Sequence, residues 1–301
     1  MLIIFVLNEK YLAEDPIIPI TLLKSRGLLL TCLGTVGYMM ARWSVLFYSP
    51  TYALAVRDWP PAAAGSILIA TNGGFGTGGI LVGWLHIRRH GSFYMYVFPS
   101  WSSRLSSLTL SSPSIIAYAV FPVTLLVLAF ISTAHSSATL YVLVLFLNGF
   151  TTGAALNYTL AHLLHLCPPH THYIATSLVA TFRGFAGSFG SAVGGGLFTR
   201  LLNSSLEQGF KEAGLGGRKV LVRKLLGSPA LVGSLRGIER VVAVKGYEDA
   251  LRGLWTAGAG LAALMVVVQA GTGWTGWNGE RREERLGSED ERLVQENERE
   301  E

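Results

Sequence analysis

Long apolar segments separated by short polar stretches make up most of this chain. No Asp, Glu, Lys or Arg occurs from Leu105 to Phe182, a run of 78 residues. A membrane-spanning helix needs about 20 mostly apolar residues, so this run can hold three spans joined by short turns. Trp59–Ile87 and Gly253–Gly279 are also free of these four residue types. The pattern predicts a multi-pass membrane protein.

The apolar segments predict six transmembrane helices in an all-α membrane bundle. Prolines, glycines and charged residues mark the ends of the segments, and Pro50 is expected to end the first. The predicted spans are Gly27–Tyr48, Ala62–Ile87, Ile115–Thr133, Thr139–Leu164, Tyr173–Phe198 and Leu254–Ala270. The transmembrane domain therefore covers residues 27–270.

Four further segments surround or interrupt this domain. Residues 1–26 are predicted as a helix stub and polar linker, and the serine-rich stretch 95–114 as an insertion. Residues 200–252 are predicted as a long loop with short amphipathic surface helices, and residues 271–301 as a tail. From Glu280 onward the tail holds ten acidic residues and five arginines, which predicts a solvated, disordered segment.

Loop arginines predict the orientation in the membrane. Arg88 and Arg89 follow the second span, whereas the preceding short loop carries only Arg57. Positive residues in short loops favour the cytoplasmic side. We therefore expect a cytoplasmic tail and a lumenal 200–252 loop.

Composition agrees with a membrane protein and excludes several other classes. Half of the 301 residues are hydrophobic, only 14% are charged, and the mean hydropathy is +0.42. A soluble domain is about 25% charged, and disorder requires low hydrophobicity. The net charge of +5 comes from basic residues clustered between apolar spans, so no nucleic-acid partner is predicted. The predicted environment is the lipid bilayer.

Two arginines lie inside predicted spans, where a charge is expensive. Arg42 is about fifteen residues into the first span, and it either contacts substrate or snorkels to the nearby interface. Arg183 is about ten residues into the fifth span, and a structural or gating role, substrate contact and snorkelling all remain open for it. No Asp or Glu lies within any span, so a proton-carrying carboxylate must lie elsewhere.

Amides and glycines provide the other candidate positions. Asn72, Asn148 and Asn157 either form interhelical hydrogen bonds or line a polar path. The glycine-rich second and fifth spans predict close helix packing. The positions singled out for packing are Gly79 and Gly83 as a GxxxG pair, and Gly187, Gly190 and Gly194.

No catalytic, metal or cofactor site is predicted. His162, His165, Cys167, His170 and His172 include the ligand types of zinc, but their spacing matches no standard zinc pattern. The glycines lie within spans, and no GxxxxGK[ST] phosphate loop is present. No acidic pair within a span supports enzyme chemistry.

Several motifs in order along the chain resemble a known family. They are Pro16-Ile17-Ile18-Pro19 with Leu22, Leu23 and Arg26; Phe47-Tyr48 with Pro50 and Tyr52; Ala55-Val56-Arg57; Gly79-x-x-x-Gly83 leading to Arg88-Arg89-His90-Gly91; Arg183-Gly184 with Gly187, Gly190 and Gly194; and Tyr247 with Ala250-Leu251-Arg252. Together they resemble the carboxyl-terminal half of fungal major facilitator superfamily transporters. The closer resemblance is to the fourteen-span drug/proton antiporters, which include vacuolar basic amino acid transporters.

The resemblance implies a function and a set of roles. It implies a six-helix half of a proton-coupled antiporter for basic amino acids or drugs, in the vacuolar or plasma membrane. Its partners would be the small-molecule substrate, protons and a missing amino-terminal half. For such a half we assign Arg183, with the glycines, Arg88 and Arg89, to gating or helix locking. We assign the polar lining of the substrate path to Asn72, Asn148, Asn157 and Tyr158 and, more weakly, to Arg42. The missing half and the charge at Arg42 depart from the family pattern.

Overall fold

The computed structural model describes residues 25–86, 113–167 and 169–272, and these residues are all-helical. Each predicted span overlaps one of the long helices. In chain order the helices are α1 (Arg26–Ala55), α2 (Pro61–Leu81), α3 (Pro113–Ile131), α4 (Ala138–Leu166), α5 (His172–Glu212), α6 (Lys219–Gly227) and α7 (Gly237–Ala270). A π-helical turn, Val82–His86, continues α2, and short 3-10 turns, Pro169–Thr171 and Pro229–Ser234, precede α5 and α7.

Five of the described helices are long and apolar enough to cross a membrane: α1, α2 with its π turn, α3, α4 and α7. These helices fit a multi-pass membrane protein. The fifth predicted span lies within α5, which is not among the five because glycine, serine, threonine and Arg183 interrupt its apolar residues. That α5 crosses the membrane stays a prediction.

The helices pack around α1 and α4. Helix α2 lies mainly against α4, and α5 lies against α1 and α7, while α3 fills the space between α4 and α7. A shared core contains six fully buried aromatic residues with polar atoms: Tyr38, Tyr52, Tyr118, Tyr141, Tyr247 and Trp255. Three of them have clear hydrogen bonds. Trp255 Nε1 donates to Ser132 Oγ at 3.1 Å, Tyr247 donates to the carbonyl of Leu225 at 2.5 Å, and Tyr52 donates to the carbonyl of Thr133 at 2.9 Å.

Glycines bring the backbones of α2 and α4 into direct contact. A Cβ atom added at Gly74 or Gly78 would collide with carbonyl oxygens of α4, and one added at Gly149 or Gly153 would collide with carbonyl oxygens of α2. Small residues spaced four apart permit this approach. The predicted pair Gly79 and Gly83 is one position out of register, because its nearest α4 neighbour is only the side chain of Asn157.

The first span is longer than predicted, because Pro50 does not end α1. The helix continues five residues past this proline to Ala55. Proline removes one backbone donor and tends to kink a helix. The neighbouring Ser49 hydroxyl donates to the carbonyl of Val45, one turn earlier in the same helix, at 2.6 Å. The last turn of α1 is stabilised by the packing of Tyr52 and Ala53, which are buried.

The predicted loop 200–252 is much shorter than expected. Helix α5 runs on to Glu212 and α7 already begins at Gly237. The apolar positions in this region form a contact between these two helices, since Leu202, Leu206 and Phe210 are buried on one face of α5. The expected amphipathic surface helix does form as α6, which buries Val222 and Leu225 and exposes Val220.

Some predictions lie outside the described residues. These are the stub and linker up to residue 24, Arg88 and Arg89, the insertion apart from its last two residues, and the tail from residue 273 onward.

The α2–α4 contact can be tested with two alanine substitutions. Gly149→Ala is expected to destabilise the protein by about 1–3 kcal/mol, because its methyl group meets the carbonyl of Thr71. Gly73→Ala is the matched control, since open space surrounds Gly73 and alanine gains up to about 1 kcal/mol of helix propensity. Thermal unfolding in detergent, followed by circular dichroism, measures both. Equal melting temperatures for the two variants would contradict the contact.

Candidate functional site

A buried arginine joins three helices near the middle of the bundle. Arg42 of α1 is only 2% exposed. Its Nη1 donates to Thr71 Oγ1 of α2 at 2.5 Å and to Asn148 Oδ1 of α4 at 3.2 Å, and its Nη2 donates to the Thr71 carbonyl at 3.2 Å. The hydroxyl and the carbonyl of Thr71 thus accept from the two Nη atoms of Arg42, and the Asn148 amide oxygen is the third acceptor.

Asn148 extends this network to a fourth helix. Its Nδ2 donates to Thr124 Oγ1 of α3 at 2.8 Å, and the Thr124 hydroxyl donates to the carbonyl of Phe121 at 2.7 Å. The amide is therefore oriented with its oxygen toward Arg42 and its nitrogen toward Thr124. Asn148 and Thr71 are fully buried, so the whole network is shielded from solvent.

The three hydrogen bonds of Arg42 go to neutral groups, and the predicted apolar spans contain no Asp or Glu. Desolvating an arginine costs several kcal/mol, and each hydrogen bond to a charged group returns about 1.5–3 kcal/mol. The three neutral acceptors therefore offset much of the cost only while all of them stay in place. Snorkelling of Arg42 to the interface is contradicted, because the head group is buried and held by α2 and α4.

The structure brings together only two of the five predicted path residues. Arg42 contacts Asn148, whereas Asn72 is exposed on the outer side of α2. Asn157 donates to the carbonyl of Gly153 in its own helix at 3.0 Å and lies beside Gly79. Tyr158 is partly buried against the main core. These three residues therefore do not form one site with Arg42.

Three glycines of α5 lie against α1. A Cβ atom at Gly190 would meet the backbone of Met40, and one at Gly194 would meet Ser44 Oγ at 2.5 Å. Gly187 lies against the ring of Trp43. All three let α5 approach α1 closely, in agreement with a packing role.

Arg183 is partly buried on the same helix. Its Nε is fully shielded and has no hydrogen-bond partner, and the guanidinium interacts electrostatically with the hydroxyl of Tyr118. The Nε atom therefore lies inside the bundle, and the structural, substrate-contact and snorkelling roles of Arg183 stay predictions.

The end of the bundle beside the α3–α4 turn is closed by polar contacts. Arg57 donates to the carbonyls of Ala134 and Ser136, both at 2.7 Å, and Glu248 of α7 accepts from the Ala134 amide at 2.5 Å. Tyr52 donates to the Thr133 carbonyl at 2.9 Å. Arg57, just after the end of α1, and Glu248, within α7, thus hold the same turn.

The histidine-rich segment after α4 does not form a metal cluster among the described residues. The ring of His172 donates to the Cys167 carbonyl at 3.0 Å. Burial raises the pKa of the Cys167 thiol to about 11, which disfavours the thiolate that a metal requires.

Sequence reasoning missed the threonines and tyrosines around Arg42. These residues are buried: Thr71, Thr124, Tyr38 and Tyr118. Within an apolar segment, nothing in the sequence distinguishes a hydrogen-bonding threonine or tyrosine from one that only packs in the core. The one available signal was the pairing of a mid-span arginine with mid-span amides, which pointed to Asn148.

Comparison with known proteins adds no assignment. No protein-family model matches the chain, and no curated protein matches it.

The arginine network can be tested with a pair of isosteric substitutions on α2. Thr71→Val removes the shortest acceptor of Arg42 and is expected to destabilise the protein by about 1–3 kcal/mol. Thr77→Val is the control, since this exposed hydroxyl bonds only to carbonyls of its own helix. Adding Arg42→Met to Thr71→Val should recover stability, because it removes the buried charge. Chemical or thermal unfolding measures all three variants, and no recovery would contradict the network.

Proposed function

We propose that this chain is the carboxyl-terminal half of a proton-coupled secondary transporter resembling the major facilitator superfamily. In this proposal α1–α5 and α7 each contain one of its six spans. The observation that carries the proposal is that α2, which packs against α4, and α5, which packs against α1, each have glycines that no other helix covers. We call these two surfaces the open faces.

The open faces are unlike a surface made for lipid. Gly65, Gly73 and Gly76 of α2 have no atom within 4 Å of an added Cβ, and neither do Gly184 and Gly196 of α5. Lipid contact does not require glycine, whereas close contact with another helix does. A second six-helix unit packed against these faces would leave a central path between the two units, near the bilayer midplane.

The internal network supports rigid-body motion of the half. Arg42, Thr71, Asn148 and Thr124 join α1, α2, α3 and α4, and the α5 glycines join α5 to α1. Alternating access by rocking requires halves that move as units. Arg42 then serves cohesion of the half rather than contact with the cargo.

The cargo class follows from the resemblance, which implies a basic amino acid or a drug. A buried guanidinium repels a cationic cargo, which is a second reason to place Arg42 outside the cargo site. Since the six predicted apolar spans contain no Asp or Glu, the protonated group of a proton-coupled cycle lies outside them.

The alternative is a non-transporting membrane protein, or a half-subunit that must pair with another half. The same open faces favour the paired form of this alternative, because a lone bundle leaves them without a partner helix.

Uptake into vesicles tests the proposal. The purified chain is reconstituted with an imposed pH gradient, and uptake of labelled arginine or lysine is expected to exceed that of empty vesicles and to disappear when the gradient is removed. Gly73→Leu, which blocks the open face of α2, should reduce uptake at least about tenfold without lowering the melting temperature. Gly260→Leu is the control, because open space surrounds this glycine of α7.

Absence of uptake for basic amino acids and family drugs would contradict autonomous transport. Uptake that survives Gly73→Leu unchanged would contradict a role for the open faces.

A further inference from the structure

Helix α6 lies at the end of the bundle where α1 turns into α2. Gly233, in the 3-10 turn after α6, lies directly against the carboxylate of Asp58 in the α1–α2 turn. Near its own end, α6 is held by Tyr247, which donates to the carbonyl of Leu225. Because α1 and α2 are both long and apolar enough to cross a membrane, we place their turn at a bilayer surface. Helix α6 then lies at the level of that surface.

One face of α6 is buried and the opposite face is cationic. Val222 and Leu225 are buried in the core. At 3.6 residues per turn, the opposite face consists of four exposed residues, which we call the cationic face: Lys219, Val220, Arg223 and Lys224. Val220 is 72% exposed, and the two cations three and four positions further on are its neighbours on the helix surface. No acidic residue occurs in α6.

The cations of this face form no ion pair within residues 25–86, 113–167 and 169–272. Two neighbouring arginines do, since Arg218 pairs with Glu239 at 2.9 Å and Arg240 pairs with Asp58 at 3.0 Å. The nearby carboxylates are therefore already engaged, and the charge of the cationic face is left uncompensated.

The acidic end of the chain is not placed to neutralise this face. It begins at Glu280, after the far end of α7, where Gly271 lies beside Leu30 near the start of α1. Because α1 and α7 are long enough to cross a membrane, that end of the bundle lies at the opposite bilayer surface. The partner of the cationic face must come from its own side.

We propose that the cationic face of α6 binds the headgroups of anionic phospholipids in the bilayer around the bundle. Basic amphipathic helices with an exposed apolar residue lie in the membrane interface, and each Lys or Arg near an anionic surface adds to the attraction. Lys219, Arg223 and Lys224 contact the anionic headgroup oxygens, and Val220 reaches toward the acyl chains. The inference concerns lipid binding and does not depend on transport.

The proposal reverses the orientation expected from Arg88 and Arg89. Anionic lipids are concentrated in the cytoplasmic leaflet, so this end of the bundle faces the cytoplasm. The earlier expectation gave little weight to residues 200–252, which were predicted as a long loop. The connection between α5 and α7 is only residues 213–236, and cations in short connections do influence orientation.

Quenching by labelled lipids tests the proposal. The full chain carries Ser228→Cys, an exposed position just after α6, which is labelled with a fluorophore. The native Cys32 and Cys167 are buried and are therefore shielded from the label. The protein is reconstituted in phosphatidylcholine nanodiscs with a small, equal fraction of spin-labelled phosphatidylserine or spin-labelled phosphatidylcholine.

Spin-labelled phosphatidylserine is expected to quench the fluorophore at least about twofold more than spin-labelled phosphatidylcholine, because the cations enrich anionic lipid beside α6. This preference should fall toward none as sodium chloride is raised, since salt screens charges at a surface.

Arg223→Gln combined with Lys224→Gln should remove most of the preference. The melting temperature should stay unchanged, because both side chains are exposed. Lys211→Gln combined with Lys245→Gln is the matched control, which removes the same charge from exposed positions. Each of these two lysines has an acidic residue four positions away on its own helix, so this control should keep the full preference.

Equal quenching by the two lipids in the protein with an intact cationic face would overturn the proposal. Equal loss of preference in both double variants would do the same, because the effect would then follow net charge. A preference that does not respond to salt would also overturn it, and this comparison needs no variant. Displacement of the labelled phosphatidylserine by a soluble glutamate-rich peptide would assign the face to an acidic protein instead.

Discussion

A guanidinium group buried without a carboxylate constrains the arrangement of four helices. Arg42 must keep Thr71 and Asn148 as acceptors, because losing one leaves a charged donor unpaired in an apolar interior. Both acceptors reach the same side chain only if α2 and α4 lie very close together. The facing glycines of these helices, Gly74 and Gly78 against Gly149 and Gly153, permit that distance. Glycine packing and arginine burial are therefore two parts of one arrangement.

The same chemistry gives the bundle two different kinds of surface. Inside, polar groups are concentrated around Arg42 and along Tyr38 and Tyr118 toward Arg183. Outside, α2 and α5 expose glycines that meet no neighbouring atom, such as Gly73 and Gly184. A cohesive interior with open flanking helices suits a unit that moves as one body against another unit, which is the role we propose for it.

Much of the helical layout could be predicted from apolar runs, because a span requires length and low charge and both are visible in sequence. The errors occurred where tertiary packing overrides local signals. Pro50 marks a stop in isolation, yet α1 continues because Tyr52 and Ala53 pack into the core. Residues 200–252 look like a loop because they carry charge, yet Leu206 and Gly246 pack the extended ends of α5 and α7 together. The prediction that Gly79 and Gly83 face the neighbouring helix was one position out of register, because GxxxG spacing alone does not say which of several overlapping glycine pairs faces that helix.

By itself the sequence predicted a multi-pass helical membrane protein whose apolar segments carry arginines but no acids, because hydropathy and charge belong to the residues themselves. It also pointed to Arg42 and Asn148 as unusual. Only the tertiary structure decided that these two residues meet, that Thr71 and Thr124 complete their network, and that Asn72, Asn157 and Tyr158 lie apart from it. The physical reason is that a hydrogen bond depends on the distance and direction between groups from different helices, and residue type specifies neither.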